Sequence, residues 1–154
     1  MSIESRRDPA QGRLLLLNAV LFVSYLCVAI PLPVIPVYVA TGLGLGNVWA
    51  GLAVGVAFLA TIVTRGAAGQ LSDRRGSKLA VMRGLAFYTA GASVCLCAGL
   101  LARAPWAAFG VLVAGRLLLG LGESLVGVGV IAWGVGIAGP ARSGKVLAMV
   151  GVAI

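Results

Sequence analysis

At 154 residues, with 60% hydrophobic and only 10% charged residues and a mean hydropathy of +1.07, the chain does not have the composition of a soluble domain, in which roughly 25% of residues are charged. Its formal net charge of +8 comes from Lys and Arg scattered among short polar segments without interleaved aromatics, which argues against a nucleic-acid partner. No His is present and Cys27, Cys95 and Cys97 all fall inside apolar runs, so no metal, cofactor, disulfide framework or enzymatic chemistry is expected.

No charge occurs from Leu14 to Thr64, a run that must divide into spans of about 20 residues each. Residues 1–13 read as a tail, and the first span as about Leu14 to Val37. Pro31, Pro33 and Pro36 crowd its far end; because proline removes a backbone donor, a kink or an early end is expected there. Arg6, Arg7 and Arg13 ahead of an apolar run invite comparison with a signal peptide. The run is too long for a signal core of about 7 to 15 residues and lacks a small-residue cleavage pattern, so it reads as a retained helix.

Thr41 to Asn47, dense in glycine, reads as a turn, and the second span follows from about Val48 to Ala68. A charged segment, Gly69 to Lys78, leads to a third span from Leu79 to Ala102, ended by Arg103-Ala104-Pro105. Trp106 opens the fourth, where an indole suits the membrane interface. Apolar character then persists to Ala138. That is about 50 Å of helix against a hydrocarbon core of about 30 Å, so this helix must tilt, protrude or break. Gly139 to Lys145 reads as a polar loop, and Val146 to Ile154 as the start of a fifth span too short to cross. The expected fold class is an all-α membrane protein, with residues 14–154 forming four complete spans and the beginning of another.

Counting connections alternately, one side holds Arg6, Arg7, Arg13, Arg74, Arg75, Lys78, Arg83, Arg142 and Lys145, and the other Arg103 alone. Short loops rich in Lys and Arg stay in the cytoplasm. The N-terminus and the Gly69–Lys78 connection are therefore expected on the cytoplasmic side.

Within that connection Gly69, Asp73, Arg74, Gly76 and Lys78 stand as G-x-x-x-D-R-x-G-x-K between two apolar spans. Gly69 is expected to permit close backbone approach at the end of the second span and Gly76 a tight reversal. Asp73 is the only acid among Arg74, Arg75, Lys78 and Arg83. The segment resembles the signature loop of the major facilitator superfamily of secondary transporters. The resemblance implies a bundle of twelve helices in two halves, with this loop as a latch between them. By that match Asp73 is the latch acid, meeting a helix N-terminus of the other half, Arg74 its basic neighbour, and Gly69 and Gly76 the packing and turn positions. Ser77 departs from the family pattern, which often has a basic residue there.

The fourth span carries Arg116, Gly120 and Glu123 on one stripe, since positions four and seven apart return to nearly the same helix face. Charges inside a membrane helix are costly and mark function or pairing. The arginine and glutamate are about 10 Å apart along the axis, a long reach for a direct bond that a water could bridge. The pattern R-x-x-x-G, here Arg116 and Gly120, also resembles the fourth helix of many facilitators. In proton-coupled members that arginine is linked to protonation, which makes Glu123 the candidate titrating group; burial and a nearby cation act on a carboxyl in opposite directions. Lesser candidates are Arg65, whose long side chain is expected to snorkel, and Asn18 and Tyr25 in the first span, as cavity-lining groups. Gly51 and Gly55 form a small-x-x-x-small pair, and glycines from Gly115 to Gly136 are expected to serve packing.

Gly139-Pro140-Ala141-Arg142-Ser143-Gly144-Lys145 fits the opening of a phosphate-binding loop. Val146 replaces the Ser or Thr that would hold Mg²⁺, and a membrane helix precedes it instead of a strand, so nucleotide binding is not expected. Together with Arg116 to Ser124, this segment resembles a bacterial sugar (arabinose-type) efflux permease branch of the family. The resemblance implies proton-coupled efflux of a small molecule such as a sugar or drug across a bacterial inner membrane. Its partners would be the substrate, protons, the bilayer and a second half that this sequence lacks, making the chain a fragment. The alternatives are a self-contained four-helix multidrug transporter acting as a dimer and a non-transporting assembly subunit.

Overall fold

Inside lipid every backbone donor and acceptor must be satisfied within the chain, and for an apolar sequence without alternating polarity the helix is the available solution. The computed structural model describes residues 9–153, the side chains from residue 11 onward; Arg6 and Arg7 lie outside the described residues. Every regular element among them is helical. α1 spans Pro9–Ala29, α2 Val34–Val37, α3 Asn47–Arg75, α4 Ser77–Leu100, α5 Pro105–Ala138 and α6 Ser143–Ala153. Four stretches are long and apolar enough to cross a membrane: Gln11–Gly42, Asn47–Arg75, Ser77–Leu100 and Pro105–Ala138. Their outward faces carry exposed large side chains such as Leu16, Ile62, Val63, Leu96 and Leu100, a distribution that suits a lipid environment and no aqueous one.

The first crossing is interrupted. α1 ends at Ala29, residues 30–33 form a turn containing Pro31 and Pro33, and the chain resumes as α2 and a π-helical turn over Tyr38–Gly42. Tyr38 ties this outer piece to the end of α4 by donating its hydroxyl to the Ala98 carbonyl at 3.1 Å. Helix α1 already begins at Pro9, so the described part of the expected tail is helical.

The segment Gly69–Lys78, expected as a loop, is almost entirely helix. α3 runs on to Arg75 and α4 starts at Ser77, leaving Gly76 as the sole non-helical residue. Gln70 to Arg75 contains no helix breaker, whereas Gly76 adopts φ 90° and ψ 143°, a conformation that side chains resist.

α5 lies at the centre, packed chiefly on α4, next on α3, with α1 and α6 on its remaining side. It stays unbroken for 34 residues, about 51 Å at 1.5 Å per residue. Glycines explain the closeness of α4. A Cβ on Gly122 would meet the Gly84 carbonyl at 2.9 Å, and one on Gly115 the Gly91 carbonyl at 2.9 Å. Gly129 meets Val81 in the same way. Residues 115, 122 and 129 are seven apart, so they form one stripe along α5.

Other glycines do not pack as expected. A Cβ on Gly51, Gly55, Gly69, Gly127 or Gly136 would meet nothing within 4 Å among the described residues. On α3 the face turned to the bundle is instead Ala53, Ala57, Ala60, Thr61 and Ala68. Methyl groups already allow close approach there, and Gly51 and Gly55 fall on the exposed side.

Candidate functional site

One position along from the glycine stripe, Arg116, Gly120 and Glu123 occupy the neighbouring face of α5, which meets α3. Arg116 is fully buried and Glu123 only 7% exposed. Placing either at the centre of a membrane helix costs about 3 kcal/mol, so each needs partners. Arg116 finds them on the α3 backbone: Nε donates to the Ala53 carbonyl at 3.2 Å and Nη2 to the Val54 carbonyl at 3.3 Å. A carbonyl has two lone pairs, so these bonds add to the helix ladder without breaking it. Nη1 has no partner among the described residues.

Glu123 is held by Thr61, whose Oγ1 lies 3.2 Å from Glu123 Oε2. The same hydroxyl is 3.0 Å from the Ala57 carbonyl and 3.1 Å from the Gly120 carbonyl. Gly120 completes the seam, because a Cβ there would run into the Ala57 carbonyl. The two charged residues that share a stripe are therefore engaged separately, Arg116 by carbonyls near one end of the seam and Glu123 by a hydroxyl two turns further on. Thr61 was not among the residues singled out from the sequence. A threonine in an apolar run is ordinary, and the available signal was the small-residue stripe Ala53, Ala57, Ala60, Thr61 and Ala68.

Further groups stand within Coulombic reach of the glutamate: Arg65 on α3, Tyr25 on α1, Tyr88 on α4 and Arg116 on α5 itself. Arg65 is exposed, one turn beyond Thr61 along α3. Asn18 is apart from this cluster. It borders a small void with Leu14, Leu17, Val130 and Val146, and its Oδ1 is buried without a partner among the described residues.

Asp73, Arg74 and Lys78 are exposed around the α3–α4 junction, with Gly76 between them. They form a second, separate cluster at the end of the bundle.

A cleft of about 1020 Å³ runs between α1 and α4, lined mainly by apolar residues such as Val23, Ile35, Leu85, Leu96 and Leu119. Of its hydroxyls, Ser24, Thr89, Ser93 and Tyr38 each donate to a backbone carbonyl, whereas that of Tyr88 is buried without a partner among the described residues. The α3–α5 seam meets this cleft at Arg116, which lines its wall, whereas Glu123 is not among the lining residues.

Comparison with known proteins agrees with this architecture. The family described as Major Facilitator Superfamily matches residues 17–154. An uncharacterised MFS-type transporter of Burkholderia mallei (strain SAVP1) is 44% identical over 132 residues, which is 86% of this chain and 32% of that protein. A protein of the same description from Burkholderia pseudomallei (strain 668) matches to the same extent. One from Salmonella typhimurium is 39% identical over 138 residues, 89% of this chain and 35% of that protein. The chain spans about a third of the length of the curated relatives it matches. No solved structure matches it.

Proposed function

The chain belongs to the major facilitator superfamily, and from that membership we propose that it supplies the first helices of a proton-coupled secondary transporter that exports a small molecule by alternating access. It is a multi-pass membrane protein of a transporter family. Proton coupling, outward direction and a sugar or drug substrate are the proposal. So are placement in a bacterial inner membrane, a cytoplasmic N-terminus and a second half completing the transport path.

The observation that carries the proposal is Glu123, a carboxyl 7% exposed in a membrane helix with one side-chain hydroxyl as its partner. A bare carboxylate in low dielectric carries a large desolvation penalty, and a protonated one does not. A cycle that alternately exposes and buries Glu123 therefore takes up a proton on burial and releases it on exposure. Arg116, clamped to the Ala53 and Val54 carbonyls, keeps a positive charge fixed near the same seam. That charge favours release once water reaches the glutamate.

Asp73, Arg74, Gly76 and Lys78 would act separately, as the latch at the cytoplasmic end, with Asp73 bonding to a helix N-terminus in the other half. Gly69 belongs to that set by position only. Coupling is tested in energised everted vesicles carrying the gene product that contains this chain. Adding successive sugars and amphiphilic drugs should partly collapse the proton gradient for the transported compound. Accumulation of a compound with no accompanying proton movement would refute proton coupling.

A further inference from the structure

Thr61 presents a mismatch between donors and acceptors. Its hydroxyl lies within hydrogen-bond range of three oxygens, the Ala57 carbonyl at 3.0 Å, the Gly120 carbonyl at 3.1 Å and Glu123 Oε2 at 3.2 Å. A hydroxyl has one proton to give and two lone pairs with which to accept. Both carbonyls belong to helix interiors, where the ladder supplies each with an N–H. The carboxylate has no such donor, so the destination of the threonine proton decides whether a bare Glu123 is hydrogen-bonded at all.

We propose that Thr61 is the positioning residue for the Glu123 proton, a hydroxyl that reverses its hydrogen bond when the carboxyl changes protonation state. With Glu123 bare, Thr61 donates to Oε2. With Glu123 protonated, the carboxyl donates to Thr61 Oγ1 and the threonine turns its own proton to the Ala57 carbonyl. Hydrogen is conserved: Thr61 keeps its proton throughout, and the carboxyl exchanges one with water. The inference rests on the reading of Glu123 as the proton carrier.

The reversal matters because of where Ala57 sits. Its carbonyl is the atom that a side chain on Gly120 would strike, and one turn earlier the Ala53 and Val54 carbonyls hold Arg116. The threonine bond thus lands on the contact between α3 and α5. Protonation at Glu123 is thereby felt as a change in what α3 offers to α5. Arg65 and Arg116 are the charged groups within Coulombic reach of the carboxyl, with the neutral phenols of Tyr25 and Tyr88 nearby. Among the described residues, Thr61 is the side chain recorded as bonded to the carboxyl.

The test uses the gene product that contains this chain, reconstituted in lipid vesicles, with the carbonyl stretch of the protonated carboxyl followed by infrared spectroscopy through a pH titration. A titrating band missing from E123Q identifies the glutamate. In T61V that band should move to higher wavenumber, since a carboxyl freed of a hydrogen bond has a stiffer carbonyl, and T61S should restore its position. T61A provides a second hydroxyl-free variant in case valine disturbs the helix pair, and the amide band of each sample reports whether helix is retained. A band that titrates and is lost in E123Q, yet keeps its position in both T61V and T61A, overturns the role of Thr61 while leaving the proton carrier in place. If no titrating band depends on Glu123, the proton-carrier reading fails and the inference fails with it.

Discussion

Asp73 occupies a position that stability alone does not explain. It lies in the last turn of α3, two residues before the helix ends at Arg75, where the partial negative charge of the helix terminus disfavours an acid by about 0.3–1 kcal/mol. Arg74 and Arg75 in the same turn suit that pole. An acid retained against the local field fits a role elsewhere in the cycle, as the latch reading requires. D73N is expected to leave the fold as stable as before, or slightly more so, while shifting the balance of states. In a background with Cys27, Cys95 and Cys97 replaced by alanine, thiols introduced by Gln70→Cys and Arg103→Cys, both at exposed positions, report on opposite ends of the bundle. D73N should raise labelling at position 70 and lower it at position 103. Equal labelling with and without D73N would rule out the latch. That Arg116, Gly120 and Glu123 share one face of α5 was legible from the sequence, because charge inside an apolar span is conspicuous and four- and seven-residue spacings define a face. Their partners were not legible. Arg116 bonds to backbone carbonyls, which any residue supplies, and Glu123 to a threonine from a helix 62 positions away in sequence.

At the scale of elements, the helices were legible from hydropathy and the glycines were visible as a class, but which of them pack was not. Gly122 and Gly127 are indistinguishable in composition and both count as buried. A side chain on Gly122 meets the Gly84 carbonyl and Tyr88, and one on Gly127 meets nothing within 4 Å among the described residues. G122A should therefore destabilise the α4–α5 pair by about 1–3 kcal/mol, the usual penalty for overpacking. G127A should be neutral or stabilising by up to about 1 kcal/mol, since alanine is the better helix former. Reversible unfolding in mixed micelles separates the two, and equal losses would mean that the α4–α5 contact is looser than described. The α3–α4 connection illustrates a different limit. Charge density made Gly69–Lys78 look like a loop, whereas charged residues are good helix formers and only Gly76 supplies a break. Polarity marked where the chain leaves lipid, and backbone chemistry decided where the helix stops.

For the whole molecule, family membership joins two features that the chain holds apart: the exposed cluster around Gly76 at one end and the buried seam between α3 and α5. The first would govern which side is open and the second which charge is carried. Membership was legible from the spacing of Gly69, Asp73, Arg74, Gly76 and Lys78, because a charged, glycine-punctuated junction between membrane spans is specific. Substrate was not legible: the cleft walls are mainly apolar, and the chain covers only 32% of a relative such as that of Burkholderia mallei. The central claim is that Glu123 carries the coupling proton. Its most direct test compares exchange with accumulation in vesicles containing the gene product and its E123Q variant. The account predicts that E123Q still exchanges labelled for unlabelled substrate and retains the fold, but no longer accumulates substrate against its gradient when a pH difference is imposed. Undiminished accumulation by E123Q would contradict it.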